Sequence, residues 1–398
     1  MKHIAKPAFM TFLLCMSMLG CRLFIGMPKT GWELVGSRGF SGTGGSDATL
    51  DCTATGAVIA FTDSGDQSLY SLAVRSWDGT SWTPLGSDYL STNVYPGARN
   101  DGYMLALDAS GSPVVGWIDF NNGTQTFHIR RYASGAWTAV ADCPLPSTSP
   151  IFELLDMSID PTDNQPAVLV VETSPSKFLA VYKPNGANWN SSQIGVNFPI
   201  PSFTSFARLS FDSSKNPWID CVNIDTTPYT LEILHWNTSS WDDWSPLPAI
   251  PCNIVYDPVR FDPVGKAYVG FIWASPNTPN DDQWPRVMKQ TSGTTWADLG
   301  TPPVTVYGDG SPFSFVLAPD GTPHVAVGET LDTGYHEVSV LKFDGTTWAG
   351  VGRRGFTDGR TGAMPSLSFD SAGAPWVAYS EVGNKNVKSV QKYVGGEN

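Results

Sequence analysis

The chain has 398 residues, of which 41% are apolar and only 15% charged, with 39 glycines and 31 prolines. The apolar fraction supports a packed core, and the low charge with abundant turn formers points to many short strands rather than to disorder. A net charge of −13 repels phosphate backbones and anionic headgroups, which excludes nucleic acid as a partner and favours cationic groups or neutral sugars.

The chain opens as a targeting segment. Lys2, His3 and Lys6 form a basic start, and Ala8 to Gly20 is an apolar run too short to span a bilayer comfortably. It ends in Met18-Leu19-Gly20-Cys21. This resembles a bacterial lipobox, with Gly20 and Cys21 as the matching pair and Met18 and Leu19 in place of the usual residues. The resemblance implies a signal peptide over 1–20, lipidation of Cys21 and a tether over 21–30. It places the protein in the cell envelope, at the outer membrane or surface. The alternatives are an ordinary signal peptide, giving a periplasmic or secreted protein, or an uncleaved anchor. Loss of Lys2 and Lys6 from the −13 total would leave −15 on the mature part. Cys52, Cys143, Cys221 and Cys252 then remain beyond the leader, with no C-x-x-C pair to suggest zinc or a redox site. Export permits disulfides among them without requiring any.

From residue 31 onward one phrase recurs: an aromatic residue, Asp-Gly-Thr or similar, then Trp, then Leu or Val with Gly. Clear copies are Trp77 to Trp82 and Phe343 to Trp348; weaker ones end at Trp137, Trp189, Trp241 and Trp296. Successive tryptophans are 55, 52, 52, 55 and 52 residues apart. Between them runs a second phrase, apolar-x-apolar-Asp, a Gly-containing turn, then Pro and an apolar run. Leu105 to Pro113 and Leu367 to Pro375 are clear copies; others carry Asp160, Asp212, Asp262 and Asp320, and Asp51 to Gly56 reads as the first copy without its proline. Each period therefore holds four strands. Strand a ends at the Asp, b follows the Pro, c ends at the aromatic, and d starts at the Trp.

Four antiparallel strands per roughly 50 residues predict an all-β, seven-bladed β-propeller over 31–398. Seven a–b phrases are present but only six Asp-Gly-x-x-Trp turns. Trp32 to Phe40 matches Trp348 to Phe356 and has no strand before it. The N-terminal strand is thus expected to complete the last blade beside the segment near Tyr393. The repeat resembles the Asp-box and kelch-like propellers; its turn is one residue shorter than the sialidase Asp-box. The resemblance implies a fold, because such propellers host enzymes, lectins and scaffolds alike.

The repeated tryptophans are expected to pack between blades, and the Asp and Gly of the turns to serve the backbone. One repeated position is chemically richer. Six residues after the Pro, strand b ends in Asp119, Glu172, Glu329 and Glu381, with Asp63 at the matching place in the first blade. The fourth blade has Asn223 there with Asp225 nearby, and the fifth has Trp273. A ring of carboxylates could hold a cationic ligand; the alternative is a set of solvated strand ends that cap the next loop.

Topology puts the short a–b and c–d turns on one face. The variable b–c loops and d–a links lie on the other, where recognition is expected. Those segments carry Tyr89, Tyr95, Arg99 and Tyr103, then Phe152 and Glu153, then Asp225 and Tyr229, then Trp273 to Trp284 with Asn277, Asn280, Asp281 and Asp282. Rings beside amides and acids suit sugars. The candidate ligand-binding set is therefore Asp63, Tyr95, Asp119, Glu172, Asp225, Trp273, Trp284, Glu329 and Glu381. The same rings could instead cover the propeller rim.

No catalytic motif stands out. There is no sialidase-type arginine motif near the start, no G-x-S-x-G, and no H-E-x-x-H among His128, His235, His324 and His336. No cofactor or metal spacing is present. The expectation is a monomeric, non-catalytic binding module for a glycan or protein, touching the membrane only through its lipid. A structural role in the envelope and a glycoside hydrolase built on the ring carboxylates stay open as alternatives.

Overall fold

The computed structural model describes residues 31–42, 44–45, 48–63, 70–95, 102–121, 124–144, 153–172, 178–187, 193–199, 207–274, 283–304, 313–330, 336–357, 365–381 and 386–395. The targeting segment and Cys21 lie outside these residues. Every named element is a strand. The chain starts with β1 (Trp32–Leu34) and then runs as antiparallel meanders. The first is β2 (Ala48–Cys52), β3 (Ala57–Asp63), β4 (Tyr70–Trp77) and β5 (Trp82–Pro84). After β6 (Ser91–Val94) comes β7 (Tyr103–Leu107), β8 (Pro113–Asn121), β9 (Thr124–Ala133) and β10 (Ala136–Pro144). Strand β6 pairs with both β4 and β8, which joins these two meanders into one nine-stranded sheet.

Four-stranded sheets follow: β11 (Glu153–Asp160) to β12 (Gln165–Glu172), β13 (Phe178–Tyr182) and β14 (Gln193–Pro199); β15 (Arg208–Phe211) to β16 (Pro217–Asn223), β17 (Thr230–Trp236) and β18 (Trp241–Asp243). Then come β19 (Arg260–Phe261) to β20 (Ala267–Ala274), β21 (Gln283–Ser292) and β22 (Thr295–Asp298), and β23 (Phe313–Leu317) to β24 (Pro323–Thr330), β25 (His336–Phe343) and β26 (Trp348–Gly350). The last sheet is β27 (Ser366–Phe369), β28 (Pro375–Glu381), β29 (Val387–Tyr393) and, as its fourth strand, β1. Trp32 faces Tyr393 and Leu34 faces Gln391 in that pairing. The expected closure is therefore present, and the meanders form a β-propeller.

The b strands lie inside their sheets with neighbours on both faces, so they are continuously apolar; β3 is buried along its whole length. The tryptophans that open the d strands explain the repeat. Trp82 Nε1 donates to Val35 O at 2.8 Å, Trp137 to Leu85 O at 2.6 Å, Trp296 to Trp244 O at 2.8 Å, and Trp348 to Leu299 O at 3.0 Å. Each acceptor sits three residues after the Trp position of the preceding meander. Trp32 obeys the same rule across the closure, donating to Val351 O at 2.8 Å and stacking on Phe356 with centroids 4.1 Å apart. After Val35, Leu85 and Val351 a glycine makes room for the rings, whereas Ser245 follows Trp244. A Cβ on Gly36 would stand 3.0 Å from the Trp77 ring and 3.2 Å from Trp82. One on Gly352 would stand 2.6 Å from Tyr393, and both glycines have positive φ.

One sequence assignment changes. The first a–b turn is built on Thr53, not Asp51. Cys52 faces Ala57 where other meanders place the residue before the turn acid, and the Thr53 hydroxyl accepts from Gly56 N at 3.0 Å. The hydroxyl replaces the Asp108 carboxylate, which accepts from Ser110 N and Ser112 N at 2.9 Å. In the third meander the d strand is described over Gln193–Pro199, and Trp189, expected to open it, lies outside the described residues. Gly186 bridges to Ala141 of the meander before.

Candidate functional site

The first strand of every meander is an edge strand, with a row of backbone groups left facing the propeller axis. Those groups need partners. At one register the N–H is met by a side chain of the preceding meander. Leu50 N donates to Ser366 Oγ at 2.9 Å, Leu209 N to Asp156 Oδ2 at 2.9 Å, Phe315 N to Asp257 Oδ2 at 2.6 Å, and Leu367 N to Ser314 Oγ at 3.3 Å. Val259 N is met by Asp220 Oδ1 at 3.0 Å, from a b strand. Polar residues on the a strands thus staple neighbouring meanders together.

The same strands enclose an axial cavity of about 580 Å³, lined by β2, β7, β11, β15, β19, β23 and β27 together with Tyr256 to Pro258. Its two ends differ. Toward the a–b turns it is walled by Leu107, Ile159, Phe261, Leu317 and Phe369. One position before these residues come Asp51 and Arg260, and further toward the d–a links Asp156, Asp257 and Arg208. Arg208 is buried and its guanidinium is engaged by main-chain carbonyls, Nε to Tyr256 O at 2.5 Å and Nη1 to Leu155 O at 3.4 Å. Arg260 touches Asp257 at 3.7 Å, and its Nε has no partner among the described residues. Burial pushes the carboxyls of Asp51, Asp156 and Asp257 above their usual range, against the opposing pull of the arginines. Asp220, fully buried behind the cavity wall, is raised to about 8 chiefly by burial.

The acids predicted at the strand b ends are held by the protein itself. Glu329 is fully buried; Arg354 binds both its oxygens, with Nε to Oε1 at 2.9 Å, and the Ser339 hydroxyl donates to Oε1. Glu381 repeats the arrangement, with Ser389 Oγ at 2.6 Å and Arg38 Nη1 at 3.4 Å. Ser339 and Ser389 also accept from Gly355 N and Gly39 N, so the d–a link is locked onto strand c. Asp119 accepts from Ser91 Oγ at 2.5 Å and Trp117 Nε1 at 2.9 Å, and His128 Nε2 lies 3.5 Å away. Asp63 is buried and accepts from the Tyr89 hydroxyl at 3.1 Å. Glu172 ends β12 opposite Phe178.

The aromatic candidates are also engaged locally. Trp273 and Trp284 face each other across β20 and β21, with Arg286 5.1 Å from the Trp273 ring centroid. Half-buried Tyr95 packs beside Phe120 at 5.9 Å. Asp225 is exposed, its N–H donating to Asn223 Oδ1 at 2.9 Å. The Glu172 side chain lies outside the described residues; the other eight candidates are not among the residues lining the axial cavity. The cavity groups Asp51, Asp156, Asp257, Arg208 and Arg260 were not among the nine candidates. Their signal is a polar residue inside the apolar phrase of strand a that changes from one repeat to the next.

No protein-family profile and no curated sequence matches the chain. Its fold is similar to that of several solved structures. An oligogalacturonate lyase in complex with manganese aligns with TM-score 0.56 at 9% identity, over 93% of this chain and 99% of that one. A PL25 ulvan lyase aligns with TM-score 0.55 at 12% identity, over 91% and 96%. Puromycin hydrolase aligns with TM-score 0.56 at 12% identity over 86% of this chain, which spans about half (51%) of that enzyme. At such identities the likeness is one of fold.

Proposed function

We propose that the protein is a seven-bladed β-propeller of the Asp-box and kelch-like group that acts as a monomeric, non-catalytic binding module. It is exported, lipidated at Cys21 and held on the cell envelope. It takes its ligand into the axial cavity from the face that carries the b–c loops and d–a links. The observation that carries this reading is the cavity of about 580 Å³ whose wall carries Asp51, Asp156, Asp257, Arg208 and Arg260. Such a volume, with a few convergent polar groups in its wall, is the ordinary form of a small-molecule site.

A non-catalytic role is supported by how the carboxylates are used. Asp156 and Asp257 accept backbone N–H groups, and Glu329 and Glu381 hold arginines and serines. Groups fixed as structural acceptors are poorly placed to shuttle protons. The two lyases of similar fold act on polysaccharide, and a sugar ligand is consistent with the hydroxyl-lined wall of this cavity.

The test is a glycan array probed with the full chain in detergent, alongside Arg260→Glu. Binding of a defined glycan, changed at least tenfold by the substitution, is expected. Equal binding by both proteins would place the ligand outside the cavity and overturn the reading. Mass spectrometry of the N-terminal peptide should find a diacylglyceryl group on Cys21; an unmodified Cys21 would remove the anchor.

A further inference from the structure

Resting on that reading, the fixed charges of the cavity narrow the ligand class. Asp51, Asp156 and Asp257 face two arginines, leaving one negative charge in excess. The balance is also uneven in space. Arg208 is committed to carbonyl oxygens, and Arg260 makes one long contact to Asp257. Asp51 accepts from Cys52 N at 2.9 Å and Ser368 Oγ at 3.1 Å; Asp156 accepts from Leu209 N. Neither has an ion-pair partner among the described residues. A carboxylate withdrawn from bulk water without a counter-charge attracts a cation entering its cavity more strongly than a surface acid does.

Two further features set the rest of the ligand. Thr49 and Ser158 line the wall with hydroxyls not engaged by other described residues, beside Ser366 and Ser368. The volume of about 580 Å³ admits one or two sugar rings but not a polymer strand within the walls. We infer that the cavity binds a polyhydroxylated small molecule bearing a free amine on each ring, an amino sugar of one or two rings. The ammonium sits among Asp51 and Asp156, and the hydroxyls meet Thr49, Ser158 and the serines.

Calorimetric titration of the full chain in detergent tests this with three dimers of one size. These are a β-1,4-linked glucosamine dimer, its N,N′-diacetyl form, and a galacturonic acid dimer. The free amine should bind at least tenfold tighter than the acetylated dimer, with the acid weakest. Asp51→Asn should erase the preference, so that the variant binds the free amine no tighter than the acetylated dimer; Asn still accepts from Cys52 N and Ser368, which preserves the local fold. Asp156→Asn, which keeps an acceptor for Leu209 N, gives the same reading should Asp51→Asn melt early. An acetylated or acidic dimer binding as tightly as the amine overturns this inference and leaves the cavity reading standing. Binding of none of the three, together with array glycans indifferent to Arg260→Glu, overturns both.

Discussion

The clamp on Glu329 permits a quantitative test of what the strand b acids do. Arg354→Ala removes the guanidinium that holds both oxygens of a carboxylate with no exposed surface, leaving it only the Ser339 hydroxyl. Breaking a buried pair from one side costs ~3–5 kcal/mol, because the remaining charge has lost both water and partner. The Arg354 side chain is itself 38% exposed, so solvent reaches the site when it goes. A loss of about 2–4 kcal/mol is therefore expected, well above the ~0–1 kcal/mol of a surface pair. Urea denaturation gives the number as the shift in midpoint at constant slope. Two controls make the cause visible. Glu329→Gln combined with Arg354→Ala should recover much of the loss, since the double variant buries no charge. Glu329→Gln alone should cost less than Arg354→Ala, because Gln carries no charge and the Arg354 guanidinium reaches solvent. A deficit below about 1 kcal/mol, or a double variant no more stable than Arg354→Ala, would refute the structural role and return Glu329 to the list of groups free to meet a ligand.

Closure gives a second expectation. Trp32→Ala deletes the stack on Phe356 and the bond to Val351 O, and should cost about 2–4 kcal/mol for a half-buried ring with one hydrogen bond. Limited proteolysis should then cut near β1 first, whereas Leu34→Ala, 40% exposed on the same strand, should change stability by no more than ~0.5 kcal/mol. Asp220 gives a third. Its folded pKa, about 8, lies above the ordinary 3.8, so the folded state holds a proton that the unfolded chain releases. Stability should fall as pH rises from about 4 toward about 8, by at most ~1.4 kcal/mol per unit from this one group. Asp220→Asn, which can still accept from Val259 N, should flatten that slope in urea titrations across the range; an unchanged slope would show that Asp220 does not carry it.

The architecture was largely legible because its repeat has a mechanical cause. Trp82, Trp137, Trp296 and Trp348 each reach back to the carbonyl three residues after the Trp position of the meander before, so ring and carbonyl recur together and keep a period of 52 to 55 residues. The same rule made Trp32 recognisable as the missing outer strand. What misled was chemistry that substitutes without changing geometry. Thr53 does with a hydroxyl what Asp108 does with a carboxylate, so the nearby acid, Asp51, took the turn's place in the pattern. Strand β6 was invisible for a different reason. It belongs to the link between two meanders and exists only because the edges of β4 and β8 lie within reach on either side.

The candidate site was hidden by the periodicity that revealed the fold. A repeated acid looks like a ring of ligands, but repetition is what a structural device must also have. Glu329 and Glu381 repeat because Arg354 and Arg38, each in a Gly-x-Arg-Gly segment after a d strand, repeat with them. The partner of Glu381 lies at the opposite end of the chain, so no local window contains the pair. A ligand entering along the propeller axis meets all blades at once and does not share their symmetry. Groups that recognise it must therefore break the repeat. At the register of Thr49, Asp156, Arg208, Ser314 and Ser366 the side chains differ in charge from blade to blade while their flanking residues stay apolar. That mixture of constant frame and varying polar residue distinguishes a surface that reads a small molecule from one that fastens the ring.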